Sequence, residues 1–280
     1  MQGKTVVISG ATSGIGAVAA GKLAAMGARI VFVGRDQSRG AATLAQLRKA
    51  GPGIDHRAHY ADLSRLSEMK RVAEEIADSE PRIDVLMNNA GAIFDRRYVT
   101  EDRLERTFAL NHMSYFVITH ILRDRLLETP GARIVNTSSD AHRRATVDFK
   151  DLQLVTGYGS LKAYCKSKLY NILFTRELAR RLHGTGVIAN CLHPGFVATR
   201  FADEGKGIVA SVFRLAKYFA LTPEEGARTM IFLASSNEAG NMSGEYFDKC
   251  APKAPTTAAQ DDEAAKRLWA ESARIAGFSD

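Results

Sequence analysis

The 280 residues predict an α/β protein. The expected architecture is a single domain, a doubly wound parallel sheet of about seven strands with helices on both faces. Three observations carry that reading. β-branched runs alternate with helix-period runs from the first residues almost to the last. The stronger strand patterns are apolar through their length, as strands covered on both faces require. A glycine-rich segment joins the first strand pattern to the first helix pattern.

Strand patterns fall at 4–9, 28–34, 84–88, 132–138 and 186–192, with weaker ones at 55–60 and 244–247. Helical windows lie near 14–26, 37–50, 64–79, 101–128, 160–183 and 223–236. No low-complexity linker or repeat divides them, so residues 1–280 read as one domain.

Composition sets outer bounds. The chain is 45% hydrophobic and 25% charged, the balance of a soluble globular protein. No apolar run approaches the roughly 18 residues that span a bilayer. The first ten residues lead straight into a strand, leaving no room for a signal peptide, so a cytoplasmic protein is expected. The net charge of +7 is spread over scattered basic pairs without interleaved aromatics, which argues against nucleic acid. Cys165, Cys191 and Cys250 lack metal-ligand spacing, and no metal site is expected.

The first strand runs into Ser9-Gly10-Ala11-Thr12-Ser13-Gly14-Ile15-Gly16. Glycines there allow a tight turn and let a pyrophosphate reach the helix N-terminus, where N–H groups and the dipole favour an anion. The second strand closes on Gly34-Arg35-Asp36. An acid at this point suits the ribose 2′-hydroxyl of NAD, and an Arg the 2′-phosphate of NADP. Asp36 is placed to cap the next helix, so NADP(H) is favoured and NAD(H) is the alternative.

Asp62-Leu63 follows the third strand, either to bond an adenine amine or to cap a turn at Ser64. Asn88-Asn89-Ala90-Gly91 ends the fourth at the carboxyl edge, where small residues permit close approach to a ligand. Asn111 interrupts an apolar helix window, either as a satisfied core amide or as a bend that holds a water. The fifth strand ends in Ser138-Ser139, either of which could donate to a substrate oxygen. The sixth leads into His193-Pro194-Gly195 and on to Thr199, a candidate partner for a carboxamide.

Tyr164 and Lys168, four apart, share one helix face. A phenol beside an ammonium is an acid–base device, and the cation is expected to lower the Tyr pKa from about 10. A second pair, Tyr158 and Lys162, straddles a helix start marked by Gly157, Gly159 and the expected N-cap Ser160. The later pair is the working one.

Taken together and in this order, these motifs resemble the short-chain dehydrogenase/reductase family, over nearly the whole chain. The segments at 138–142, 163–169, 192–195 and 243–247 resemble its retinol-dehydrogenase-like and WW-domain-oxidoreductase-like branch. The resemblance implies a Rossmann-type fold and hydride exchange between NADP(H) or NAD(H) and a carbonyl or alcohol. It implies Tyr164 as general acid/base, Ser139 (not Ser138) on the substrate oxygen, Lys168 on Tyr164 and the ribose, and Asn111 holding a relay water. It also implies a cofactor set of Gly10, Thr12, Ser13, Gly14, Ile15, Gly16, Arg35, Asp62, Leu63, Asn89, Ala90, Gly91, Pro194, Gly195 and Thr199, together with Tyr164 and Lys168. Ser9 replaces a Thr common in the family but keeps the hydroxyl. Many relatives pair as dimers or tetramers through the Tyr-bearing helix, so a homodimer or homotetramer is a further expectation. The family's membrane anchor is not expected here.

Residues 196–222 carry Ile208, Val209, Val212, Phe213, Leu215, Tyr218 and Phe219, with Arg214 and Lys217 interrupting. A lid over a lipophilic substrate is preferred to plain packing, and that to a helix on a membrane surface. Two other functions compete: an NADP-binding sensor without turnover, and a reductase of activated C=C or C=N bonds. The intact Ser139, Tyr164, Lys168 and Asn111 set disfavours a sensor.

Overall fold

The structure, a computed structural model, describes residues 1–195 and 221–279. Eight strands form one sheet in the order β3-β2-β1-β4-β5-β6-β7-β8. They are β1 (Thr5–Ser9), β2 (Arg29–Gly34), β3 (Arg57–Tyr60), β4 (Val85–Asn88), β5 (Arg133–Thr137), β6 (Ile188–His193), β7 (Tyr246–Asp248) and β8 (Ala251–Pro252). All neighbours are parallel except β7 and β8. The expected count of seven therefore rises by one. Lys249 and Cys250, both at positive φ (51° and 65°), turn the chain back into a two-residue hairpin strand. No Gly or Asn marks that turn, so no pattern announced it.

Side chains alternate between two cores. Val6, Ile8, Phe32, Met87 and Leu192 point to one face, against α1 (Gly14–Ala25) and α8 (Pro223–Ser235). Val7, Val31, Leu86, Ile134 and Cys191 point to the other. There they meet α3 (Leu66–Ser79), α5 (Ser114–Ile121) and α7 (Ser160–Arg181). Apolar residues on both sides of each strand are what a helix-covered parallel sheet demands. The remaining helices are α2 (Gln37–Ala50), α4 (Arg106–Phe108), α6 (Arg123–Leu127) and α9 (Asp262–Ala276).

Helix α9 lay outside the expected windows. Its signals are conventional: Asp261 caps the N-terminus through Ala264 N, and Gly277 ends it at φ 69°. Ala265, Leu268, Trp269, Ser272 and Ala273 form its buried face. Trp269 stacks on Phe174 of α7 at 5.8 Å and meets Phe116 of α5 edge-on at 5.0 Å. Between residues 163 and 179 of α7, no residue is exposed. The Tyr-bearing helix expected to pair subunits is thus covered within one chain along its middle.

Strand order reverses between β1 and β4, opening a crevice at their carboxyl ends. Ligands of open α/β sheets bind at such a switch point. Among the described residues, the site residues expected at strand ends lie along this edge.

Candidate active site

The glycine turn is welded to the end of β4. Ser9 Oγ accepts from Asn89 N at 3.0 Å and Ala90 N at 3.1 Å. Asn89 Nδ2 returns bonds to the carbonyls of Ser9 (3.2 Å) and Gly10 (3.1 Å). A Cβ on Gly10 would stand 2.9 Å from Ala90 Cα, and one on Gly16 would collide with the Gly10 carbonyl and the Asn89 amide. Only glycine fits at either place. Helix α1 begins just beyond, with Ser13 at the cap position making no side-chain cap bond and no acid in the first turn. An anion-binding helix start of this kind fits a dinucleotide pyrophosphate, with the backbone of 12–16 as its donors.

Around the rim, Asp36 caps α2 by accepting from Arg39 N at 2.8 Å, while Arg35 is exposed at the end of β2. Asp62 Oδ1 is engaged with Ser64 N (3.0 Å) and Oγ (2.8 Å), as a turn-capping residue would be, and Leu63 is buried. Pro194 and Gly195 follow β6 at the same edge, and Thr199 and residues 196–220 of the expected lid lie outside the described residues.

Helix α7 starts at Ser160 with Gly159 as its cap, one residue earlier than the sequence suggested, because Ser160 Oγ donates to the Asp95 carbonyl instead (2.8 Å). Tyr158 precedes the helix while Lys162 lies inside it and donates from Nζ to the Gly157 carbonyl at 3.2 Å, so the first Tyr-Lys pair straddles the helix start. Tyr164 and Lys168 share the face that looks onto β5 and the crevice. The two serines separate cleanly. Ser138 is buried and donates to the Lys168 carbonyl at 2.7 Å. Ser139 is the residue whose side chain hydrogen-bonds the Tyr164 hydroxyl. Ser139 Oγ also accepts from Ala141 N at 3.1 Å, which leaves its own proton free to be directed at another oxygen.

Electrostatics differ from the expected pattern. Burial pushes the Tyr164 phenol up to about 12, against a lowering by the Ser139 hydrogen bond, although the residue keeps some accessible surface. Lys168, 2% exposed, is pushed down to about 7 by burial. An amine that is neutral above about 7 offers no charge to a phenol titrating near 12, so the cation does not lower the Tyr pKa in this state. Lys168 Nζ donates to the Thr137 carbonyl at 3.0 Å, within reach of Gly91.

Asn111 is both a satisfied amide and a bend. It sits in a π-helical turn, Ala109–Met113, between α4 and α5. Its Oδ1 accepts from Ala92 N (2.9 Å), and its Nδ2 donates to the Ala92 carbonyl (2.9 Å) and Ser167 Oγ (3.0 Å). The side chain therefore staples β4's exit loop to α7. The Asn111 main-chain carbonyl accepts from Asn171 Nδ2 at 2.9 Å. Asn171 also reaches the Thr137 carbonyl at 3.2 Å, and Asn136 joins Asn88 to Thr175 below it. Asn136 and Asn171 were not foreseen; a polar residue facing two apolar layers is their only sequence signal.

A family model described as short chain dehydrogenase matches residues 4–206. The chain belongs to the short-chain dehydrogenase family. Human retinol dehydrogenase 13 is 41% identical over 99% of this chain and 85% of that protein. Human retinol dehydrogenase 14 is 39% identical over 99% and 88%. Among solved structures, an uncharacterized protein from Mycobacterium paratuberculosis superposes with a TM-score of 0.79 at 30% identity, covering 99% of this chain and 95% of its own. A short chain dehydrogenase from Burkholderia cenocepacia, solved in complex with NADP, gives 0.70 at 27% identity over 88% and 96%. As a short-chain dehydrogenase of the retinol-dehydrogenase-like branch, the chain is an NAD(P)-dependent oxidoreductase that interconverts alcohols and carbonyl compounds. Among the described residues, no helix is long and apolar enough to cross a membrane.

Proposed function

We propose that this dehydrogenase uses NADP(H) to interconvert a lipophilic alcohol with its aldehyde or ketone, in the cytoplasm, with Tyr164 as general acid/base. The observation that carries the reading is the hydrogen bond between Ser139 and Tyr164 at the crevice edge, across from an uncapped helix start. A dinucleotide held at the glycine turn by the backbone of 12–16 would supply or accept the hydride. The protein's part is to place the substrate oxygen between two hydroxyls. Ser139, its lone pair held by Ala141 N, donates to the developing oxygen charge. Tyr164 gives its proton to that oxygen in reduction and removes it in oxidation. Lys168 closes the base of the site against the Thr137 carbonyl, next to Gly91.

NADP(H) is supported by Asp36, which is spent on a helix cap, and by Arg35, exposed where a 2′-phosphate would lie. The NADP complex of the Burkholderia relative is consistent with it. Lipophilicity is supported by relatives named for retinol, a long apolar alcohol, and by the apolar sequence between 208 and 219. The test is nicotinamide absorbance with a panel of aldehydes, ketones, enones and imines, each with both cofactors. Long-chain or polyene aldehydes with NADPH should give the highest kcat/KM. Reduction confined to enones or imines, or no turnover with any class, overturns the reading.

A further inference from the structure

The peptide unit that follows Ser139 is gripped at both ends by a histidine. The Ser139 carbonyl can only accept, so His142 Nδ1, 2.7 Å from it, carries the ring proton. His142 Nε2 is then bare and accepts from Thr256 N at 3.3 Å. At the other end, Asp140 N donates to His193 Nδ1 at 3.2 Å, which makes that nitrogen the bare one. His193 Nε2 carries the proton and faces Asp140 Oδ2 at 3.9 Å. One ring is fixed in one tautomer and its neighbour in the opposite one.

The surroundings make this grip firm. Asp140 accepts from Tyr246 OH (2.8 Å), Lys253 Nζ (3.1 Å) and Arg143 Nε (3.2 Å). The Tyr246 ring stands edge-on to His142 at 5.0 Å. His142 is fully buried and His193 mostly so. Ser139 is the cap of the short turn Asp140–Arg144, and its hydroxyl, held by Ala141 N, is two rotatable bonds, Cα–C and Cα–Cβ, from the gripped peptide.

We infer that His142 and His193 are positioning residues, a two-histidine clamp that aims the Ser139 hydroxyl and opens in acid. The inference rests on the role of Ser139 proposed above. It gives turnover an acid limb with a defined cause. Burial lowers the His193 pKa; Asp140 and Asp248 oppose that, while Lys253 and Arg143 add to it. Burial likewise lowers His142, facing Arg143, Asp140 and His193. Both rings are neutral at pH 7. As the pH falls below the ordinary imidazole value of 6.5, protonation turns His193 Nδ1 from acceptor into donor against Asp140 N. The same event sets His142 Nε2 against Thr256 N.

Imidazole 15N shifts of the full-length protein read the clamp without any turnover. His193 should show a bare Nδ1 and a protonated Nε2, and His142 the reverse; identical tautomers overturn the inference. Asparagine places its amide oxygen near the position of Nδ1 and does not titrate. His193→Asn should keep kcat within about 3-fold at pH 7, whereas His193→Leu loses about 10- to 100-fold in kcat with KM nearly unchanged. The Asn variant should also carry its acid limb to lower pH. A Leu variant as fast as Asn, or an Asn variant with the wild-type acid limb, refutes the clamp. If His193→Leu fails to fold, the Asn profile and the tautomers still decide. Full activity in Tyr164→Phe would instead sink the proposed function and leave the tautomers untouched.

Discussion

Lys168 Nζ lies 5.6 Å from the centre of the Tyr164 ring and spends its hydrogen bond on the Thr137 carbonyl, 3.0 Å away. The amine is therefore seated beside the phenol ring and anchored to the main chain of β5. It is also almost wholly buried, which sets its protonation.

A stability signature follows. The folded chain holds the Lys168 pKa at about 7, against 10.5 when exposed, so between those values the unfolded chain binds the extra proton. Stability contributed by this group rises with pH across that window, and its penalty is complete below about 7. Lys168→Met removes the penalty. Urea unfolding should find the variant ahead of wild type at neutral pH, with the gap closing toward about pH 10. A gap that does not change with pH counts against a desolvated amine.

The two adjacent serines should fail differently. Ser139→Ala should lose about 100- to 1,000-fold in kcat with little change in stability, because its hydroxyl faces the Tyr164 side chain. Ser138→Ala should lose about 1 kcal/mol of stability, the bond to the Lys168 carbonyl, and keep most of its turnover. Kinetics and chemical denaturation of both variants check the assignment. Equal kinetic losses would show that the pair acts as one unit.

Cofactor choice rests on Arg35. Arg35→Ala should lower kcat/KM with NADPH by about 10- to 100-fold, the scale of one lost charge-assisted contact, and barely alter it with NADH. Equal effects on both cofactors would assign Arg35 to the fold.

Helix α9 should matter for folding and for assembly. Trp269→Ala empties the contact with Phe116 and Phe174 and should cost about 3–5 kcal/mol in denaturant unfolding. Because α7 is covered along its middle, sedimentation should show a 30.5 kDa monomer at micromolar concentration. A tetramer would require another face of the chain to pair.

Much of this was legible from residue order. Ser9 to Gly16 and Asn89 could be placed because glycine spacing and strand ends are local signals, and the structure joins them directly. The choice of Ser139 over Ser138 came from the family resemblance and not from the residues themselves, since it depends on which hydroxyl finds the Lys168 carbonyl across 30 residues. The direction of the Tyr164 pKa was misjudged for a related reason: spacing reports neighbours, not burial. Asn111 revealed its polarity but not its π-helical turn. His142 and His193 lie 51 residues apart, and only the fold puts them on one peptide.

The most direct trial of the central claim is Tyr164→Phe, with steady-state reduction and dinucleotide binding measured on the same sample. The account predicts a fall in kcat of at least about 100-fold, up to about 10,000-fold, with dinucleotide affinity within a few-fold of wild type. A variant that reduces aldehydes at the wild-type rate would mean that the proton comes from elsewhere.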